Sequence, residues 1–135
     1  MTAPQISSIS PVFIVRNVPA AISFYRDMLG FDVEHQQPER QPFFAIVRRD
    51  GAMIFVKSVG AEPMPNRKRS APEVAARWDA YVNVPDPDAL AAEFISRGVK
   101  FYEPLKDTHG GLRGFEIEDA DGYLLFFGRP RENSK

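Results

Sequence analysis

Hydrophobic and polar positions along this chain trace the same succession of elements twice. Residues 12–33, VFIVRNVPAAISFYRDMLGFDV, run from an apolar strand-like stretch through a polar break into an amphipathic stretch ending at Gly30. Residues 80–101, AYVNVPDPDALAAEFISRGVKF, repeat that order and end their amphipathic stretch at Gly98. Each copy continues into a strand-like segment, an Asp-Gly turn and an apolar run, AMIFV after Asp50-Gly51 and YLLFF after Asp121-Gly122. A spacing of about 70 residues exceeds the ~20–50 of solenoid units. Two copies of a small module, paired about a cleft, account for it better, and such clefts commonly hold ligands.

Within the first copy, the branched and aromatic run 12–15 predicts a buried strand. Asn17 caps the following helix, and Pro19 sits near its first turn, where a missing N–H costs little. Ala21, Phe24, Tyr25, Met28 and Leu29 recur at three- and four-residue spacing and form its apolar face, and Gly30 ends it. Strands are predicted at 31–34, 43–48 and 52–57, the last two joined by the Asp50-Gly51 hairpin turn. The second copy predicts a strand at 79–84 and a helix opening at Asp86-Pro87. Leu90, Ala91, Phe94 and Ile95 give that helix its apolar face, and strands follow at 99–103, 115–118 and 123–127. Between the copies, Gly60, Pro63, Pro65, Asn66 and Pro72 mark a linker, or a loop able to fold over the cleft. The expected fold is α+β: two tandem βαβββ modules forming a curved mixed sheet around a cleft. One domain, 1–135, divides into module one at about 8–58, a linker at 59–76, module two at 77–128 and a polar tail at 129–135 that should fray.

Composition narrows the function. A hydrophobic fraction of 44% and a charged fraction of 26% suit a globular domain, and a net charge of −1 supplies no field to recruit nucleic acid. Arg67-Lys68-Arg69 reads as a solvated loop. No stretch is long and apolar enough to span a membrane, and the N-terminus lacks the form of a signal peptide, so a cytoplasmic location fits. The absence of cysteine removes thiolate metal sites, disulfides and cysteine nucleophiles together.

The motif V-x-N-V-x-x-A-I-x-F-Y-R-D-M-L-G-F from Val15 to Phe31, with D-A-D-G-Y-L-L-F-F at 119–127, resembles the vicinal oxygen chelate superfamily. That group includes glyoxalase I, extradiol dioxygenases, epimerases, fosfomycin-inactivating enzymes and bleomycin-binding resistance proteins. The resemblance covers nearly the whole chain. It implies four metal-ligand positions, which by spacing fall on Ser10, Phe55, Asp79 and Phe126. Two phenyl rings cannot ligate, and one carboxylate with one hydroxyl is too poor a donor set for a divalent transition metal. The resemblance therefore implies no metal and no cofactor, a likeness to the metal-free bleomycin-binding branch, and a homodimer whose cavities both subunits complete.

Strand alternation sends Val12, Ile14, Met53, Phe55, Asp79, Tyr81, Asn83, Leu124 and Phe126 to the cavity side with those positions. The expected ligand-binding residues are Ile14, Met53, Phe55, Trp78, Asp79, Tyr81, Arg113 and Phe126. Phe55 and Phe126 would stack on a flat ligand, Tyr81 would donate a hydrogen bond, and Trp78 would stand at the cleft rim or a subunit contact. The expected function is metal-independent binding of a planar or apolar small molecule. A competing class is a lyase, isomerase or dioxygenase using Asp79, Glu116 or His109 as base. A third is an accessory subunit that uses the cleft for a partner.

Overall fold

Asn17 and Asp86 hold equivalent places in two copies of one unit. Asn17 Oδ1 accepts from the Ala20 N–H at 2.8 Å, and Asp86 Oδ1 from the Ala89 N–H at 3.0 Å, with a proline in the first turn of each helix. The computed structural model describes residues 3–68 and 78–132. The first unit comprises β1 (Val12–Ile14), α1 (Val18–Ser23), β2 (Asp32–Gln37), β3 (Phe44–Arg49) and β4 (Ala52–Lys57). The second comprises β5 (Ala80–Asn83), α2 (Pro87–Ser96), β6 (Phe101–Asp107), β7 (Leu112–Glu118) and β8 (Leu124–Pro130). Their strand orders, β1-β4-β3-β2 and β5-β8-β7-β6, are the same, with the first pair parallel in each and the others antiparallel. The α+β fold and its two βαβββ modules are thus as expected, with one four-stranded mixed sheet per module.

Local details depart from the sequence pattern. α1 continues as a π-helical turn, Phe24–Met28, and the Phe31 N–H closes it on the Tyr25 carbonyl at 2.9 Å. Tyr25, inside the turn, and Leu29, at its end, are both buried. Ile95, expected on the apolar face of α2, is 66% exposed. The stripe facing the sheet runs through Pro87, Ala91 and Phe94, and Ile95 lies about 100° round from Phe94. Arg129 and Pro130, expected in the fraying tail, extend β8, where Arg113 and Leu112 pair with them. Residues 69–76 of the linker, with Arg69 and Pro72 among them, residue 77 of module two and 133–135 of the tail lie outside the described residues. Among the described residues, no helix is long and apolar enough to cross a membrane.

Each helix covers one face of its sheet. Beneath α2, Phe94 meets Phe115 and Phe127 edge-on at 5.8 and 5.4 Å. The modules join along these helix-covered sides. Phe13 stacks on Tyr123 with centroids 4.3 Å apart, and the Tyr123 hydroxyl donates to the Ile14 carbonyl at 2.7 Å. Arg49, at the end of β3, donates twice to the Glu93 carboxylate on α2, at 2.8 and 2.9 Å, and once to the Leu29 carbonyl at 2.9 Å. Burial at this junction pushes the Asp119 carboxyl up to about 6, although Tyr25 and two main-chain N–H groups donate to it. Burial, and then the neighbouring Asp119, raise the Tyr25 phenol well above its ordinary value. With the helices and the junction on one side, the opposite face of each sheet carries neither α1 nor α2, although on the second sheet Leu124 and Phe126 are buried there.

Candidate functional site

Alternation decides what the open faces carry. On β4, Ile54 and Val56 are buried under α1, so Met53 and Phe55 point the other way, and Phe55 is paired in register with Val12 of β1. Val12 is 56% exposed there, and the Phe55 ring meets Phe44 edge-on at 5.6 Å. Ile14 shares this face of β1 with Val12.

The second open face is more elaborate. Gly114 and Gly128 are register partners on β7 and β8, and Phe126 pairs with Glu116 on one side and Tyr81 on the other. A Cβ at Gly114 would stand 2.6 Å from Phe126 Cζ, and one at Gly128 would stand 2.6 Å from Phe126 Cε2. The ring therefore lies down over the two glycines, a posture that any larger residue would forbid. Trp78 stacks on it at 4.2 Å and 23°, and Tyr81 stacks against it at 5.6 Å and 19°. Trp78 Nε1–H donates to Glu116 Oε2 at 2.9 Å. The result is a platform of three rings with a carboxylate at its edge. Tyr81 remains 42% exposed and Phe126 only 1%.

The other sequence-derived candidates lie apart from this platform or are engaged elsewhere. Asp79 Oδ1 accepts from the Asn66 N–H and Oδ2 from the Leu124 N–H, each at 2.8 Å. Its carboxylate clamps the start of β5 to the linker and to β8. His109 is exposed on the Thr108–Gly111 turn. Arg113 points to the opposite face of β7 from Glu116, where Asp88 holds it at 2.8 Å and Asp107 at 3.1 Å. Of the three candidate bases, Glu116 alone stands among the rings. Met53 and Tyr81 border a groove of about 790 Å³ between the modules, which Asn83, Leu90 and Glu93 also line. Ile14 and Asp79 line a smaller hollow of about 300 Å³ with Met64 and Asn66. Among the described residues, no aromatic contact joins Phe55 to Phe126.

Gly114 and Gly128 are the site residues that sequence reasoning missed. Their signal was a glycine inside each of two strands, which marks close approach of another group. Arg67 was read as a solvated loop residue, yet it donates to Glu118 at 2.7 Å and lies over the Tyr102 ring at 5.0 Å.

The four positions that would hold a metal do not fit one. Phe55 and Phe126 bring no donor, and both Asp79 oxygens accept main-chain hydrogen bonds. Among the described residues, no group of three or more His, Cys, Asp or Glu could hold a metal ion.

Residues 6–127 match the model of the Glyoxalase/Bleomycin resistance protein/Dioxygenase superfamily. No curated protein matches the chain. Among solved structures, TioX from Micromonospora sp. ML1 superposes with a TM-score of 0.71 at 20% identity, covering 92% of this chain and 98% of TioX. The bleomycin-binding protein of Streptomyces verticillus, complexed with copper(II)-bleomycin, gives 0.70 at 24% identity over 96% of this chain and 100% of that one. A glyoxalase/bleomycin resistance protein/dioxygenase from Alicyclobacillus acidocaldarius gives 0.72 at 18% identity over 93% and 92%. At these identities the likeness is one of fold.

Proposed function

Because the chain belongs to the glyoxalase/bleomycin resistance protein/dioxygenase superfamily, we propose that it binds a planar, largely apolar small molecule without a metal. The observation that carries this reading is the platform of Trp78, Tyr81 and Phe126, with Glu116 at its edge. Phe126, held by the sheet, gives a flat ligand contact area at little conformational cost, and one carboxylate at the rim fixes orientation. The donor-poor set Ser10, Phe55, Asp79 and Phe126 supports metal independence. The bleomycin-binding protein of similar fold, complexed with copper(II)-bleomycin, supports small-molecule binding by analogy.

A platform open on one side holds a ligand weakly, so the proposal includes a homodimer. The face carrying Ile14, Met53 and Phe55 is also open, and a second copy would set it opposite Trp78, Tyr81 and Phe126. The cleft between the two faces would then be lined by both subunits.

Titration of the protein with flat aromatic compounds, in the presence of EDTA and then with zinc or manganese added, tests the reading. Affinity that is the same in both conditions is expected. One bound metal per chain, lost on Asp79→Ala, would overturn it.

A further inference from the structure

The geometry points to Trp78 as an occupant of the ligand's own seat. Its indole stands where a planar heteroaromatic ring with in-plane N–H donors would bind, and such a ligand enters by displacing it. This inference rests on the binding function proposed above and specifies its ligand class.

Three contacts define the seat. The floor is Phe126, laid over Gly114 and Gly128, so that it can neither sink nor tilt. Beside it Tyr81 stacks against the same ring, its plane 19° from parallel and its centroid 5.6 Å away. The acceptor is Glu116 Oε2, at the edge of any ring resting on the floor. Floor and acceptor are register partners on neighbouring strands, so their spacing is set by the sheet. An indole fills this arrangement through one stacked face and one N–H, which is how a free heteroaromatic would use it.

Trp78 is bound less completely than the seat allows. It is only partly buried, and its N–H is a neutral donor to a carboxylate. Among the described residues, Glu116 Oε1 receives no hydrogen bond. A protonated amino-heterocycle with two parallel N–H groups would satisfy both oxygens, replacing the single bond of the indole by a bidentate pair between opposite charges. The proposed displacement is a rotation of the side chain. The main chain stays pinned, because the Trp78 carbonyl accepts from Asn66 Nδ2 at 2.9 Å and Asp79 is clamped to Leu124. The seat thus reads for a flat cation with paired N–H donors, and Trp78 sets the threshold that such a ligand must exceed.

The test uses 2-aminobenzimidazole, flat with paired N–H donors, against 1-methylbenzimidazole, which has the same rings and no N–H. Affinities are measured by calorimetry on wild type, Trp78→Ala, Trp78→Phe and Glu116→Gln. A seat occupied about nine-tenths of the time lowers apparent affinity about tenfold. Trp78→Ala should therefore bind 2-aminobenzimidazole about tenfold more tightly than wild type. Trp78→Phe, which keeps a ring and loses the N–H, should gain less. Glu116→Gln should lose the preference for the aminated probe. Trp78 is the sole tryptophan, so its indole N–H gives a single amide-region NMR cross-peak. That peak should move on 2-aminobenzimidazole binding to wild type, a readout that needs no variant. Unchanged or weaker binding by Trp78→Ala, with wild type still binding flat probes, would sink the displacement idea and leave the binding function standing. Failure of every flat probe to bind wild type and Trp78→Ala alike would remove both.

Discussion

Tyr25 donates its phenolic hydrogen to Asp119 Oδ2 across 2.6 Å, tying the π-helical turn of the first module to the β7–β8 turn of the second. Both groups are buried, and the Arg16 main-chain N–H reaches Asp121 beside them at 3.0 Å. The junction between modules is therefore polar at its centre and apolar around it, which makes its strength depend on pH.

Asp119 titrates at about 6 in the folded protein against an ordinary 3.8. A carboxyl raised by folding binds more protons in the native state, so its contribution is full below about pH 4 and is lost as pH rises through 6. The loss amounts to about 3 kcal/mol at most. Denaturant melts from pH 4 to 8 should show Asp119→Asn with a flatter profile than wild type. Tyr25→Phe removes a donor to the carboxylate and should cost about 1–3 kcal/mol, more at pH 8 than at pH 5. Equal cost at both pH values would show that Asp119 does not ionise in this range.

Glu93 behaves in the opposite sense. Hydrogen bonds from Arg49, and then Arg97, hold its carboxyl down at about 2 against an ordinary 4.5. Its contribution is therefore present above pH 4.5 and lost as pH falls toward 2. About a third of both side chains is exposed, so screening reduces the worth of the pair to about 1 kcal/mol. Glu93→Gln should be less stable than wild type by that amount at pH 7, with the difference vanishing near pH 2 in matched melts.

The floor of the site should be sensitive to single methyl groups. Gly114→Ala places a Cβ against Phe126 and the neighbouring strand, and overpacking of this kind costs about 1–3 kcal/mol. Gly51→Ala, where a Cβ meets nothing within 4 Å, should change stability by less than about 0.5 kcal/mol. Phe126→Ala should cost about 3–5 kcal/mol because the ring is buried, and Phe55→Ala clearly less because its ring is only partly buried. Chemical denaturation of the four variants checks the order. A Phe55→Ala loss equal to that of Phe126→Ala would mean that both open faces are already covered.

Light scattering over a concentration series should give a dimer mass. Tyr81 at 42% exposure and Val12 at 56% place apolar surface on both open faces, where a second copy would bury it. A monomer at high micromolar concentration would overturn the shared cleft.

Much of the architecture was legible in the sequence because it is local. A capping side chain three residues from its amide, a helix stripe, a strand alternation and an Asp-Gly turn are all specified within a few residues. The doubled pattern displayed them twice. Alternation also told correctly which residues of β4, β5 and β8 share a face, since that follows from the period of a strand alone. The partner of each such residue was not legible. Asp79 looked like a free carboxylate until Asn66 and Leu124 were found to donate to it. Arg113 looked available until strand parity and α2 set it beside Asp88. Trp78 and Glu116 lie 38 residues apart, and Tyr25 and Asp119 94 apart. Such meetings depend on strand register and on how one module leans on the other, and no periodicity within a segment encodes either. Sequence alone determined the elements and their faces. The tertiary structure decided which side chains meet, because those contacts are made between segments whose relative placement only the packed core fixes.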